Sequence, residues 1–248
     1  MNKEDLIRLY QNTDVDIVNI LKAQKIAENC LDHMTSFLKP SLTRKEIHEE
    51  CARYMTALGS EGWWIHNDPS LILYGDLTAY SAHEDPSPLF EGKLLKENDF
   101  ITIDVAPMIK TGWGDLARSF VMEEGRIIDW RDCHNSEIIE GMETELYLHQ
   151  LFIDTVNEDT TFEQLHDLID HALKDKGYVN CDYHGNFGHT IENDAKDRVT
   201  IDKGVRLKIA AYGKPLTFEP HIRKTDGTYG IKHENMYVFY KGKMRQIP

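Results

Sequence analysis

Apolar positions along the chain fall into two rhythms. Over residues 15–38, Val18, Leu21, Ile26, Cys30, Met34 and Leu38 recur at mixed three- and four-residue intervals, the spacing that gathers side chains on one face of a helix. Lys39-Pro40 ends that pattern. The segment SLTRKEIHEE then opens a second helix, with Thr43 as N-cap and Glu46 three positions later as in a capping box. This helix runs to about residue 58, ahead of Gly59, and His48 reads as an exposed residue on it. A shorter helix over residues 4–11 precedes both. The rhythm then shortens: residues 71–74, 100–105 and 116–122 are brief apolar runs of the kind that form buried strands. Lys110-Thr111-Gly112 reads as the turn or short connection of a hairpin between the last two. Residues 133–156 and 161–176 predict two more helices, and strand-forming runs follow at 216–218 and 230–240. The order helix, helix, strands thus occurs twice, divided near residues 124–131, although no residue-level repeat relates the halves. An α+β fold in which two similar halves enclose a site is the expectation. Residues 1–14 form an amino-terminal extension, and residues 15–248 a single domain with halves at about 15–124 and 131–248.

Composition narrows the partners. Asp and Glu outnumber Lys and Arg by 42 to 28 for a net charge of −14, with no Lys/Arg-rich run. That disfavours nucleic acid or an anionic membrane as the main partner. The sequence lacks an apolar run near 18 residues, and MNKEDLIRLY lacks the apolar stretch of a signal peptide. Cys30, Cys51, Cys133 and Cys181 are widely spaced without a CxxC pair and read as reduced thiols. A soluble, cytoplasmic protein is expected.

The chemistry centres on ITIDVAPMIKTGWGDLARSFV, where Asp104 lies inside one apolar run and Asp115 at the mouth of the next. An ionised carboxylate in an apolar strand is costly unless paired or bound to a metal. Two on facing strands repel each other, so a cation between them is the economical explanation. Candidate partners lie further along. His184 and His189 flank two glycines in YHGNFGH, Glu219 sits in the apolar run LTFEP, and Glu234 precedes a strand-forming run in GIKHENMYVFY. His83, in YSAHEDP, stands where a strand passes into a proline-containing loop and reads either as a cleft residue or as a surface histidine. His66 carries less information. The adjacent Trp63 and Trp64 read as core or pocket wall rather than as a platform for stacked bases.

In order, Asp104, Asp115, His189, Glu219 and Glu234 resemble the five metal ligands of the methionine aminopeptidase/Xaa-Pro peptidase family, whose fold is called pita-bread. The contexts are similar as well: Asp, ten residues, Asp, then Arg118 three positions on; TFEP; and YGIKHEN, which resembles the Xaa-Pro branch. The resemblance covers roughly residues 15–245 and lacks the large amino-terminal domain of many Xaa-Pro enzymes. It implies a dinuclear metal-dependent hydrolase that cleaves a peptide bond near a free amino terminus, as an aminopeptidase or Xaa-Pro dipeptidase, by attack of a hydroxide held between the ions. Two divalent ions are implied, manganese foremost, with cobalt, iron or zinc as alternatives. Asp115 and Glu234 would bridge them, Asp104 would chelate one, and His189 and Glu219 would complete the other. Glu219 would also act as general base and then acid. His83 would contact the substrate or the tetrahedral intermediate, and Arg118 would pair with a ligand carboxylate. The spacing from His184 to His189 is one longer than in the Xaa-Pro branch, so either could be the ligand; His189 is favoured because Gly188-His189 follows the motif.

The family's second substrate histidine has no counterpart, because position 196 is Lys196. Lys232 replaces the usual arginine, and His221 follows Glu219-Pro220 where glycine is common. His184, His221 and Lys232 are therefore expected on the substrate side with His83, and cleavage beside proline is put in question. Two other readings remain, a creatinase-like hydrolase of a small C–N compound and a non-catalytic binding protein on the same fold. The expected partner is a peptide or small amide, and the homodimers common in the family extend the analogy to assembly.

Overall fold

The structure, a computed structural model, describes residues 1–65, 68–81 and 86–247. His83 and His66, both singled out above, lie outside the described residues. Helix α1 (Lys3–Tyr10) is capped by Asn2, whose side chain accepts the Asp5 N–H, and it buries Leu6 and Tyr10. Helix α2 (Ile17–Phe37) begins at Asp16, whose carboxylate accepts the Asn19 N–H, and it ends at Leu38 as the periodicity predicts. Helix α3 (Arg44–Ala57) has the expected capping box, in which Thr43 and Glu46 each satisfy the other's backbone N–H. His48 departs from expectation. It is half-buried, with Nδ1 3.2 Å from the Ser70 carbonyl, because α3 lies against the strand that begins there.

That strand belongs to the first half's sheets. β1 (Gly62–Trp63), β2 (Ser70–Tyr74), β3 (Asp99–Val105), β4 (Pro107–Ile109), β5 (Gly112–Trp113), β6 (Leu116–Glu123) and β7 (Arg126–Ile128) follow in order. They form an antiparallel sheet β2-β3-β6-β7 and a smaller one, β1-β4-β5. The predicted turn is present: Lys110 adopts a positive φ of 51° between β4 and β5. This hairpin rests directly on α2. A Cβ on Gly114 would come within 2.5 Å of the Ala23 carbonyl, so only glycine permits the approach. Ile26, Cys30 and Met34 of α2 and Ile47 and Cys51 of α3 pack on Ile72, Ile101 and Ile103 of the sheet.

The second half repeats the plan. α4 (Ser136–Thr155) begins later than the apolar pattern suggests, because Asn135 caps it through the Glu137 N–H and Cys133 lies in the turn before it. α5 (Phe162–Asp175) opens with a second capping box, Thr161 with Gln164. β8 (Tyr178–Asn180), the short helix α6 (Ile209–Tyr212), β9 (Leu216–Phe218), β10 (His221–Lys224), β11 (Gly230–Lys232), β12 (Asn235–Tyr240) and β13 (Lys243–Gln246) complete the chain. They make two antiparallel sheets, β11-β10-β8 and β13-β12-β9. Phe152 of α4 stacks on Phe218 of β9 with ring centroids 4.5 Å apart, inside a core that also holds Phe162, Leu165 and Ile169 of α5. Burying each such side chain contributes about 1.5–3 kcal/mol.

A third cluster joins the halves: Leu6, Tyr10, Ile20, Trp64 and Trp113 pack with Ile191, Met236 and Val238. All four cysteines are buried free thiols. Among the described residues, no helix is long and apolar enough to cross a membrane.

Candidate metal centre and substrate cleft

The two aspartates reach the site from one sheet. Asp104 lies on β3, in register with Leu71 of β2 and Ala117 of β6. Asp115 immediately precedes β6, and its backbone N–H donates to Gln24 Oε1 at 3.0 Å. A buried glutamine of α2 therefore fixes the place where Asp115 leaves the hairpin. Glu234 arrives from the other half, between β11 and β12, and its N–H donates to the Ala117 carbonyl at 3.1 Å. Arg118 corrects an expectation. Its guanidinium donates to the Ala117 carbonyl (2.8 Å), the Glu234 carbonyl (2.5 Å) and Asn235 Oδ1 (2.7 Å), so it holds Glu234 by the backbone and not by the carboxylate. Its neighbour Asn235 and the strand carbonyls lie closer to it than any ligand oxygen does.

His189 and Glu219 are set by a tight crossing of two segments. Gly188 has φ +141°, and a Cβ there would collide with the Thr217 carbonyl. This lets the His189 N–H donate to Thr217 Oγ1 at 3.1 Å while the Thr217 N–H donates to the His189 carbonyl at 2.8 Å. The same Thr217 hydroxyl donates to Glu219 Oε1 at 3.0 Å. His189 Nδ1 lies 3.1 Å from the Thr190 carbonyl and must be the donor to it, which leaves the Nε2 lone pair free. Burial lowers the imidazole to about 4, so it is neutral near pH 7. Nε2 stands 3.4 Å from both Asp115 Oδ2 and Glu219 Oε1. Of the two candidate histidines, then, the structure brings His189 and not His184 to the carboxylates.

Asp104, Asp115 and Glu234 offer oxygens that all lie within 4.8 Å of one another. Burial, followed by repulsion from neighbouring carboxylates, raises Asp115 and Glu234 well above the ordinary carboxylate range. Burial raises Asp104 too, against the pull of Lys232. Burial also acts to raise Glu219, but Lys232, His189 and the Thr217 hydroxyl outweigh it and hold that carboxyl well below its usual value. Asp115 Oδ2 and both carboxylate oxygens of Glu234 are buried with no hydrogen-bond partner among the described residues. Buried carboxylate oxygens without donors, beside a neutral imidazole with a free lone pair, fit a divalent cation that accepts oxygen and nitrogen ligands.

Lys232 lines the cleft. Its ammonium lies among the carboxylates, 2.5 Å from Asp104 Oδ2, 2.9 Å from Glu219 Oε2 and 3.6 Å from Glu234 Oε2. Concentrated negative charge in a poorly solvated place draws it there. His221 is buried at the back of the cleft, where Nε2–H donates to the Thr78 carbonyl at 2.7 Å. His184 is exposed on the cleft wall, its ring edge-on to Tyr183. The cleft above the cluster encloses about 630 Å³. One wall is Trp64, stacked on Trp113 at 4.7 Å and edge-on to His189 at 5.2 Å, as the pocket-wall reading of the paired tryptophans anticipates. Arg198 lies over the Trp64 ring at 5.0 Å. Gln24, Trp113 and Arg198 escape a sequence reading because nothing near them in the chain signals a site.

A profile of metallopeptidase family M24 matches residues 18–241. The uncharacterized peptidase YqhT of Bacillus subtilis (strain 168) is 22% identical over 244 residues, an alignment spanning 97% of this chain and 62% of that protein. Among solved structures, the X-Pro aminopeptidase from Thermotoga maritima MSB8 superposes with a TM-score of 0.75 at 18% identity, covering 94% of this chain and 60% of that one. The prolidase from Pyrococcus furiosus gives 0.74 at 19% identity, covering 95% and 64%. The chain thus spans about three-fifths of the length of these relatives and shares their pita-bread fold. With nearly its whole length inside the family profile, it belongs to metallopeptidase family M24.

Proposed function

We propose that this protein is a metal-dependent hydrolase that cleaves a peptide bond near a free amino terminus, as an aminopeptidase or Xaa-Pro dipeptidase does. The observation that carries the reading is the convergence of Asp104, Asp115, Glu219, Glu234 and the neutral Nε2 of His189 at the floor of one cleft. These five residues would hold two divalent ions, with manganese as the first candidate. When bound, such ions acidify a water and polarise the scissile carbonyl.

The chain's own groups account for the remaining requirements. Glu219 is ionised near neutrality and can accept a proton at a carboxylate oxygen, then pass it to the leaving amine. The Thr217 hydroxyl fixes one of its oxygens, so the transfer starts from a set geometry. Trp64 and Trp113 form a flat apolar wall beside His189, which excludes water from that side and strengthens charge interactions at the floor. His184 and Arg198 stand on the cleft wall, where they can meet the polar ends of a short peptide. His83 is retained as a candidate for the substrate carbonyl, on the sequence resemblance alone. The acidic surface disfavours nucleic acid as a partner, and the reduced thiols fit a cytoplasmic setting.

The test is to strip the protein with chelator, return manganese, cobalt or zinc, and assay a library of short peptides with and without proline at the second position. Asp115→Ala is expected to lose bound metal by elemental analysis and to lose hydrolysis, while keeping its circular dichroism spectrum. Full activity in that variant after metal return would sink the proposed site. A protein that binds no ion yet hydrolyses a small amide would instead point to the creatinase-like chemistry.

A further inference from the structure

The wall of the cleft carries a carboxylate that the metal cluster does not use. Asp182 lies two residues past the end of β8 and lines the cleft together with Glu219, His221 and Lys232. The backbone around it is firmly set. The Cys181 N–H donates to the His221 carbonyl at 2.7 Å, and the Asp182 N–H donates to Asn180 Oδ1 at 2.9 Å. Three donors then converge on a single carboxylate oxygen, Oδ1: the His184 N–H at 2.9 Å, the Asn186 N–H at 3.2 Å and Asn186 Nδ2 at 2.9 Å. This turn, which carries His184 to the cleft wall, needs one acceptor atom there and no charge. The second oxygen, Oδ2, accepts from no donor among the described residues, and no cation among them forms an ion pair with it. Burial, followed by repulsion from Glu219, pushes the carboxyl above its ordinary range, against the Asn186 and His184 N–H groups and Lys232. Lys232 itself is already engaged by Asp104 and Glu219. A half-buried carboxylate in this condition is costly until a cation meets it.

We propose that Asp182 is a specificity residue whose free oxygen receives a primary ammonium group of the substrate, so that the cleft selects peptides carrying a cation at that point. This rests on the reading of the cleft as that of a peptide hydrolase. An ammonium supplies what the site lacks: a charge-assisted donor for Oδ2 and an opposite charge for a carboxylate that burial penalises. The rest of the wall sharpens the choice. Arg198 bears on Asp115 and His189, so a substrate cation is repelled in that part of the cleft and drawn to Asp182. Two parts of a peptide can bring the ammonium, its free amino terminus or a lysine side chain, and the same oxygen serves either.

The experiment compares wild type with Asp182→Asn, both loaded with manganese, on matched short peptides. Asparagine keeps an Oδ1 acceptor for the donors that shape the turn and puts a neutral amide in place of the free charged oxygen. One pair of peptides differs only in its first residue, lysine against norleucine. The other differs only at the terminus, a free α-amino group against its des-amino analogue. Asp182→Asn is expected to raise KM for the ammonium-bearing member of a pair about 10–100-fold more than for its neutral counterpart, the loss of one charge-assisted hydrogen bond. The effect belongs in KM and not in kcat, since the contact is made equally before and during the reaction. If the difference follows the terminus, the free amino group is the ligand; if it follows lysine over norleucine, the side chain is. Equal changes for charged and neutral members overturn the role of Asp182 and leave the hydrolase standing. Wild type that hydrolyses both members of both pairs with the same KM does so as well, whatever the folding of the variant. Absence of hydrolysis of any peptide by loaded wild type overturns the hydrolase reading and this proposal together.

Discussion

Two buried histidines show how one residue type takes opposite jobs. His189 has one ring nitrogen bonded to a carbonyl and the other facing carboxylates, so its lone pair is available. His149, on α4, has both nitrogens used internally: Nε2–H donates to the His233 carbonyl at 2.8 Å, and Nδ1 accepts from the Tyr237 hydroxyl at 2.6 Å. Burial lowers His149 to about 4 as it does His189, but here the result is a structural strut and not a ligand. The sign of its pH effect follows. Above the unfolded value of about 6.5 neither state carries the proton, and the full contribution to stability is present. As pH falls from there toward about 4, the unfolded chain gains a proton that the folded chain refuses, and stability drops by on the order of 3 kcal/mol. Urea unfolding measured across that range is expected to show a steep decline in wild type and a flatter one in His149→Gln. Equal slopes would remove His149 from the account.

Local chemistry explains which elements can be read from sequence. Both long helices of the first half and the capping box at Thr43 depend on contacts within a few residues, and the structure has them as the sequence suggests. The start of α4 depends on which of several polar residues caps it, and apolar spacing alone does not choose Asn135. His48 is half-buried because a strand more than twenty residues away lies against it, a fact outside its own helix. The crossing of the Gly188 segment with β9 is tertiary in the same way. Gly188 is marked in the sequence only as a glycine beside a histidine, yet its φ and the Thr217 carbonyl leave no space for a side chain. Gly188→Ala is expected to cost about 1–3 kcal/mol of stability through backbone strain. It is also expected to weaken manganese binding by roughly 10–100-fold, because Thr217 orients both His189 and Glu219. Melting curves and metal titration of the same variant separate the two effects. A loss of stability with unchanged affinity would mean that His189 keeps its place without the crossing.

Across the whole molecule, the site is a joint between halves. Asp104 and Asp115 belong to the first half, and His189, Glu219 and Glu234 to the second. Their residue types and immediate contexts could be recognised from the sequence because each ligand carries its signal nearby. The contacts that hold them could not: Gln24 carries no signal at all, and Arg118 and Lys232, though marked by their motifs, meet the Glu234 backbone and three carboxylates across the fold. A ligand bound only by the assembled pair of halves stabilises both together. Manganese at 100 times its dissociation constant is expected to add about 2.7 kcal/mol to unfolding, with both halves melting in one transition. A metal-induced shift confined to one half in hydrogen exchange would contradict the shared site. The same division has a temporal side. On the ribosome, Asp115 is made 119 residues before Glu234, a delay of roughly 6–24 s at ordinary rates of synthesis. For more than half of that interval the β3–β6 hairpin bears two inward carboxylates with neither Lys232 nor His189 yet in existence. The nascent first half therefore has reason to stay loosely packed at this corner, and Glu234 closes a centre whose first ligands were made long before it.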